Sequence, residues 1–157
     1  FDDAQLRFLS RGHDSASSLK AISKLKKLPD INLCVHLMFG IPNETDEQIC
    51  KTADILSEQK VDGVKLHNLH VLRKTPLEKL YRESRFNPIE LEEYSRKVAL
   101  FLENLSPNIA VHRLAAVASR WDELIAPQWT REKMRTIQFI DDFLAAKETW
   151  QGRCFEV

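Results

Sequence analysis

The chain has 157 residues, of which 43% are hydrophobic and 29% charged, and its 23 basic side chains balance 23 acidic ones. This length is enough for one domain with a buried core. The zero net charge argues against a strong electrostatic grip on nucleic acid or on an anionic membrane. No apolar run approaches the about 20 residues that a membrane-spanning helix needs, and no signal peptide is visible. We therefore expect a cytoplasmic protein without a membrane partner.

Apolar spacing, capping residues and turn residues define the elements that we expect along the chain. In chain order they predict helix 2–10, helix 15–28, strand 31–39, helix 46–59, strand 61–72, helix 76–83, helix 89–105, strand 109–114 and helix 130–147. Strands that alternate with helices favour an α/β fold with parallel pairing and right-handed crossovers. Three strands are few for a closed barrel or a doubly wound sheet.

The segment VHLMFGIPNET (35–45) runs from a predicted strand into a tight turn. Because strand residues alternate between faces, His36, Met38 and Gly40 are expected on one side. Glycine at such a strand end lets a planar group approach the backbone. We interpret the segment as part of a cofactor pocket, and the alternative is a buried strand followed by a turn without a ligand.

Histidines and cations gather near the ends of the predicted strands. The histidines in question are His36, His67, His70 and His112. The cations are Arg11, Lys65 and Arg113. Histidine titrates near neutral pH and serves in acid-base chemistry, and arginine can bind a carboxylate through two hydrogen bonds. The alternatives are core histidines and surface charges, and no ligand spacing supports a metal site.

The three cysteines, Cys34, Cys50 and Cys154, are widely spaced along the chain. An odd number at such spacings is no disulfide framework. None of them belongs to a CxxxCxxC cluster, so the chain carries no strong metal signature. We expect reduced thiols.

Several motifs in the same order resemble the radical S-adenosylmethionine (radical SAM) superfamily. They are FDDAQLRFLSRGH (1–13), GIPNET (40–45) and VDGVKLHNLHVLRKTPL (61–77). They are similar to motifs of the branch that contains the oxygen-independent coproporphyrinogen oxidase and the Elongator catalytic-subunit-like enzymes. The later motifs VHRL (111–114), LIAPQW (124–129) and TWQG (149–152) are similar to a family of Fe-S oxidoreductases in that branch.

The resemblance implies a fold and a chemistry for the parent enzyme. The fold is a partial (β/α)6 TIM-like barrel with parallel strands and flanking helices. A CxxxCxxC loop binds a 4Fe-4S cluster, which reductively cleaves SAM to a 5′-deoxyadenosyl radical that abstracts hydrogen from the substrate. Since this chain lacks that loop, we expect residues 1–157 to be the C-terminal half of such a barrel plus a helical extension. We expect this fragment to be inactive alone and to bind neither cofactor.

The resemblance also assigns residues to the SAM pocket. By position, Arg11 corresponds to a residue that contacts SAM, and His36 lies near the ribose, where the oxidase has aspartate. Met38 corresponds to the apolar residue beside the adenosine, and Gly40 lies in the loop beneath it. His70 corresponds to a residue that contacts SAM through its backbone, or it faces the substrate. Asn43 stands where glycine is common and can adopt the left-handed conformation. His67, His112 and Arg113 match no general SAM position, so we regard them as candidates for substrate recognition or proton transfer.

Two other functions stay open at this point. One is a noncatalytic α/β binding domain that lacks the cluster, and the other is a metal-independent α/β enzyme that uses histidine. In the radical SAM case the substrate is unknown, with tRNA and small molecules as candidates. The missing N-terminal half is the expected partner, and an unpaired sheet edge without it predicts self-association.

Overall fold

The computed structural model describes residues 1–118 and 120–156. The strands are β1 (Cys34–Phe39), β2 (Gly63–Asn68), β3 (Val71–Leu72), β4 (Ala110–Arg113) and β5 (Leu124–Ala126). The helices are α1 (Asp3–Phe8), α2 (Ser15–Leu25), α3 (Asp46–Glu58), α4 (Pro76–Arg82), α5 (Leu91–Asn104) and α6 (Lys133–Ala146), with 3-10 turns at Trp121–Glu123 and Gln128–Arg131. Within the described residues, no helix has the length and apolar character required to cross a membrane.

Three parallel strands form the main sheet in the order β1-β2-β4. One face packs against α3 and α5, and there Val64 and Leu66 of β2 are fully buried with Leu56 of α3 and Phe101 of α5. Burial on that face explains why these strands read as apolar runs. The opposite face, called the open face below, carries the alternate residues of β1 and β2: His36, Met38, Lys65 and His67. The parallel sheet confirms the α/β class, and the barrel stays a prediction.

The strand predicted at 61–72 is in fact two strands, which is the main error in the predicted elements. The buried Asn68 side chain accepts a hydrogen bond from the amide of Ala116 at 3.0 Å, and the amide of Leu69 donates to the carbonyl of Phe39 at 3.0 Å. The chain therefore turns out of the parallel sheet. β3 then pairs antiparallel with β5, a strand that the sequence pattern did not reveal.

The turn after β1 is fixed by a buried ion pair. Asn43 has φ of 62°, which confirms the expected left-handed conformation. The Glu44 carboxylate accepts a hydrogen bond from the Gly40 amide at 2.9 Å and lies 3.5 Å from Nζ of Lys97 on α5. Lys97 Nζ also donates to the Glu44 carbonyl at 2.9 Å. Burial raises the pKa of Glu44, while the Gly40 amide and Lys97 oppose that rise.

We expect Lys97→Met to lower the free energy of unfolding by about 3–5 kcal/mol, because it leaves the buried carboxylate without its partner. Urea unfolding at neutral pH measures the loss. Lys79→Met is the matched control, since Lys79 forms an exposed pair with Glu83 of the kind that contributes about 0–1 kcal/mol. Equal losses in the two variants would show that the buried pair does not anchor the turn.

Gly40 and Gly12 both have positive φ, at +84° and +69°, but their surroundings differ. A Cβ on Gly40 would lie 2.6 Å from Cγ2 of Ile89, whereas a Cβ on Gly12 would meet nothing within 4 Å. We expect Gly40→Ala to lower the free energy of unfolding by about 1–3 kcal/mol more than Gly12→Ala, because only Gly40→Ala overpacks its site. Thermal and urea unfolding of both variants would reveal the difference, and identical stability would contradict it.

Candidate substrate and cofactor site

A groove of about 490 Å³ runs along the edge of β1 that has no neighbouring strand in the described chain. Its walls come from α1, α2, β1 and the start of α3, and its volume is in the range of small-molecule sites. Three of the residues assigned to SAM line it together: Arg11, His36 and Met38. The structure thus brings these three predicted site residues to one cavity.

Gly40 and His70 do not line this groove. The space beside the Gly40 Cα is filled by the side chain of Ile89 rather than left open for a ligand. The half-buried His70 accepts a hydrogen bond at Nε2 from Nδ2 of Asn68 at 2.8 Å, and burial lowers its pKa. Its ring is tied to the end of β2, outside the groove.

A bulge in β4 places two adjacent side chains on the open face. Val64 pairs with Val111, but the next residue of β2, Lys65, pairs with Arg113, so His112 is an extra residue in β4. A one-residue bulge breaks the strict alternation of faces. His112 and Arg113 can therefore both turn toward β2 on the same side.

Contacts on the open face confirm that placement. The Nε2 atom of His112 lies 2.5 Å from the position that a Cβ on Gly63 would take, so His112 covers Gly63. The Nη2 atom of Arg113 lies 3.2 Å from Nδ1 of His67 and also contacts its Nε2. A guanidinium only donates, so the bonded ring nitrogen of His67 is an acceptor. The structure therefore groups all three catalytic candidates, His67, His112 and Arg113, on one face of the sheet.

The two histidines at the centre of the open face both have lowered pKa values. The rings of His36 and His67 are 5.1 Å apart and tilted by 32°. Burial, followed by the nearby charges of Arg113 and His36, lowers the pKa of His67 to about 4. Burial also lowers the pKa of His36, with Lys65 and Arg113 as the other causes. Both rings can accept hydrogen bonds near neutral pH.

Positive charge on the open face is not balanced by nearby acids. Within residues 1–118 and 120–156, neither Lys65 nor Arg113 forms an ion pair. The buried Nε of Arg113 has no hydrogen-bond partner in that part of the chain. The charged groups that act most strongly on the pKa of His67 are all basic. An unpartnered buried donor beside two cations is an unusual arrangement for a surface without a ligand.

The cysteines do not fit an iron-sulfur cluster. Cys34 lies in β1, Cys50 in α3 and Cys154 near the end of the chain, and all three are free. Among the described residues, no three His, Cys, Asp or Glu side chains are grouped for a metal.

Comparison with models of protein families shows the family to which this chain belongs. The family model described as the Radical_SAM C-terminal domain matches residues 61–146, which is more than half of the chain. The chain belongs to this family. The radical SAM relationship inferred from the motifs is thereby confirmed, and the link to the coproporphyrinogen oxidase branch stays a prediction. The matched region includes β2, β4 and all three catalytic candidates.

Several known proteins are similar to this radical SAM C-terminal domain. An uncharacterized protein of Methanocaldococcus jannaschii, MJ0486, is 31% identical over 150 residues, which cover 96% of this chain and 46% of that protein. A tRNA-2-methylthio-N(6)-dimethylallyladenosine synthase of Desulforamulus reducens is 27% identical over 96 residues, or 60% of this chain and 21% of that enzyme. This chain therefore spans less than half the length of these curated relatives.

A solved structure shares the fold of this domain. The archaeal Methanocaldococcus infernus Elp3 with an N-terminal deletion superposes with a TM-score of 0.77. The alignment covers 96% of this chain and 35% of that chain at 17% identity. Likeness at this level of identity supports the fold and not a shared substrate.

Sequence reasoning missed the residues that position the site. Asn68 ties the end of β2 to His70 and to Ala116, and Glu44 and Lys97 fix the turn after β1. A signal existed for Asn68, because a polar residue inside an apolar strand run is expected to have buried partners. No local pattern pairs Glu44 with a lysine 53 positions away.

Proposed function

We propose that this chain forms the SAM-facing and substrate-facing half of a radical SAM Fe-S oxidoreductase. In the parent enzyme, a 4Fe-4S cluster held outside this chain supplies the electron that cleaves SAM to a 5′-deoxyadenosyl radical. The observation that carries the proposal is the groove beside β1, where Arg11, His36 and Met38 lie together. This chain alone is inactive, because its cysteines do not fit a cluster.

The geometry supports a role for the groove in SAM binding. Met38 offers an apolar surface for a planar ring, and His36 offers ring nitrogens for hydroxyl groups. Arg11 supplies a cation at the same cavity. One wall of the groove is the open edge of β1, where a preceding strand of a partial (β/α)6 barrel would pair. The missing N-terminal half then supplies the rest of the pocket and the cluster. We also propose that the parent enzyme is cytoplasmic.

The substrate of the parent enzyme is an unidentified tRNA or small molecule. The similarity to a tRNA-modifying enzyme favours tRNA as the substrate. The zero net charge of the chain does not support RNA binding. The structure weighs against a metal-independent enzyme that uses His67 as a base. A general base works best with a pKa near the operating pH, and the pKa of His67 is lowered to about 4.

The test uses the full-length parent protein, reconstituted anaerobically with iron and sulfide. We expect it to form 5′-deoxyadenosine from SAM in the presence of a reductant. Met38→Ala should raise the KM for SAM by about tenfold, which corresponds to about 1.4 kcal/mol of lost contact with the adenosine. Liquid chromatography with mass detection measures the product.

Met134→Ala is the matched control, since Met134 is 74% exposed on α6 and far from the groove residues in sequence. It should leave the KM unchanged. If the reconstituted parent forms no 5′-deoxyadenosine, the proposed chemistry is wrong. If both methionine variants behave alike, the groove is not the SAM site. Product formation by the 157-residue chain alone would refute the claim that it is inactive.

We further propose that the isolated chain self-associates through the edge of β1. An unpaired edge presents backbone donors and acceptors that a second strand can satisfy. We expect light scattering after gel filtration to give a mass above 18.2 kDa that rises with concentration. A monodisperse monomer at all concentrations would contradict this expectation.

A further inference from the structure

Two cations and a histidine of the open face form a row across the three parallel strands. His36 of β1 pairs with Lys65 of β2, and Lys65 pairs with Arg113 of β4, so these three positions are level in the sheet. His67 lies two residues further along β2 and contacts Arg113. Neighbouring strands are about 4.8 Å apart, so the row spans about 10 Å. This spacing lets all the side chains reach one small ligand.

The row carries an unbalanced positive charge that a bound anion would neutralise. Lys65 and Arg113 are cations without an ion pair in residues 1–118 and 120–156. Like charges brought together on a partly buried surface repel each other, and an anion between them removes that repulsion. The buried Nε of Arg113 is a donor without a partner in the same residues, as expected where a ligand supplies the acceptor.

We propose that this row, formed by His36, Lys65, His67 and Arg113, binds an oxyanion: a phosphate or carboxylate group of the substrate or of SAM. The proposal rests on the proposed function in one respect, since it takes the open face to be the side on which the ligands of the parent enzyme bind. It deepens that function by assigning a charge class to the ligand.

The donors of the row match the geometry of an oxyanion. A guanidinium can donate to two oxygens of one phosphate or carboxylate group, and the Nε donor of Arg113 has no other partner among the described residues. Lys65 adds a point charge from the middle strand. An anion beside His67 favours the protonated form of its imidazole and so raises its pKa. The bulge at His112 is what aligns Arg113 with Lys65 on this face.

The first experiment titrates inorganic phosphate into the 157-residue chain and follows the imidazole signals of its histidines by NMR. Chloride at equal ionic strength is the reference, because it screens charge without filling the site. We expect phosphate to raise the pKa of His67 by about one unit or more, since an opposite charge within a few ångströms has effects of that size. The signal of His13, which is bonded to the carbonyl of Arg11 and is not a member of the row, should change less.

Variants separate a built site from general charge attraction. Arg113→Met and Lys65→Met should each weaken the phosphate effect by about tenfold or more, and Arg113→Lys should restore part of it. Lys133→Met is the matched control, because Lys133 is exposed at the start of α6, and it should change nothing. Circular dichroism checks that each variant is folded. If Arg113→Met does not fold, Lys65→Met decides the question.

Two further ligands identify the source of the oxyanion. SAM carries a carboxylate, and 5′-methylthioadenosine lacks it. A rise in the pKa of His67 with SAM and not with 5′-methylthioadenosine would assign the site to the SAM carboxylate. A rise with phosphate and not with SAM would assign it to the substrate. Either result supports an oxyanion site.

The proposal is overturned if phosphate leaves the pKa of His67 where chloride leaves it, or if Lys133→Met weakens binding as much as Lys65→Met. Its failure is distinguishable from failure of the proposed function. Loss of 5′-deoxyadenosine formation in the parent enzyme would refute the radical SAM activity and leave the phosphate titration standing. A negative titration would refute the row and leave the activity intact.

Discussion

The buried contact between Glu44 and Lys97 organises the ends of the strands that carry the site. Lys97 belongs to α5, so the pair fixes the turn after β1 to that helix. The same helix supplies Tyr94, whose hydroxyl donates to the carbonyl of Leu114 at 2.6 Å, just after β4. One helix therefore holds the carboxyl ends of both outer strands. The alignment of the row across the open face depends on this common anchor.

The groove and the row differ in what they need from the rest of the protein. The groove beside β1 is bounded by a strand edge that has no neighbour in the described chain, so its far wall must come from elsewhere. The row lies within three paired strands and is internally complete in its donors. His36 and His67 belong to both, because each lines the groove and their rings face each other. Occupancy of one site is thus expected to alter the electrostatics of the other.

The sequence pattern predicted the parts of the fold that local periodicity controls. The parallel strands, their alternation with helices and the left-handed Asn43 all agree with the structure. The pattern failed where a distant partner decides the conformation, as at Asn68, whose amide bonds end β2 early. The pattern also placed Arg113 near the histidines but did not predict that it pairs with Lys65. The bulge in β4 arises from pairing with β2 and has no signature within the strand itself.

The extra residue in β4 makes the charge of the open face depend on strand register as well as on residue type. In a regular strand, His112 and Arg113 would project to opposite layers, and one of them would meet the apolar helices. Pairing the same residues without the bulge would set His112 opposite Lys65 and turn Arg113 toward the helices, so the open face would lose a charge although no side chain had changed. A shift in the register of β4 would therefore change the charge that this face offers to a ligand without any substitution.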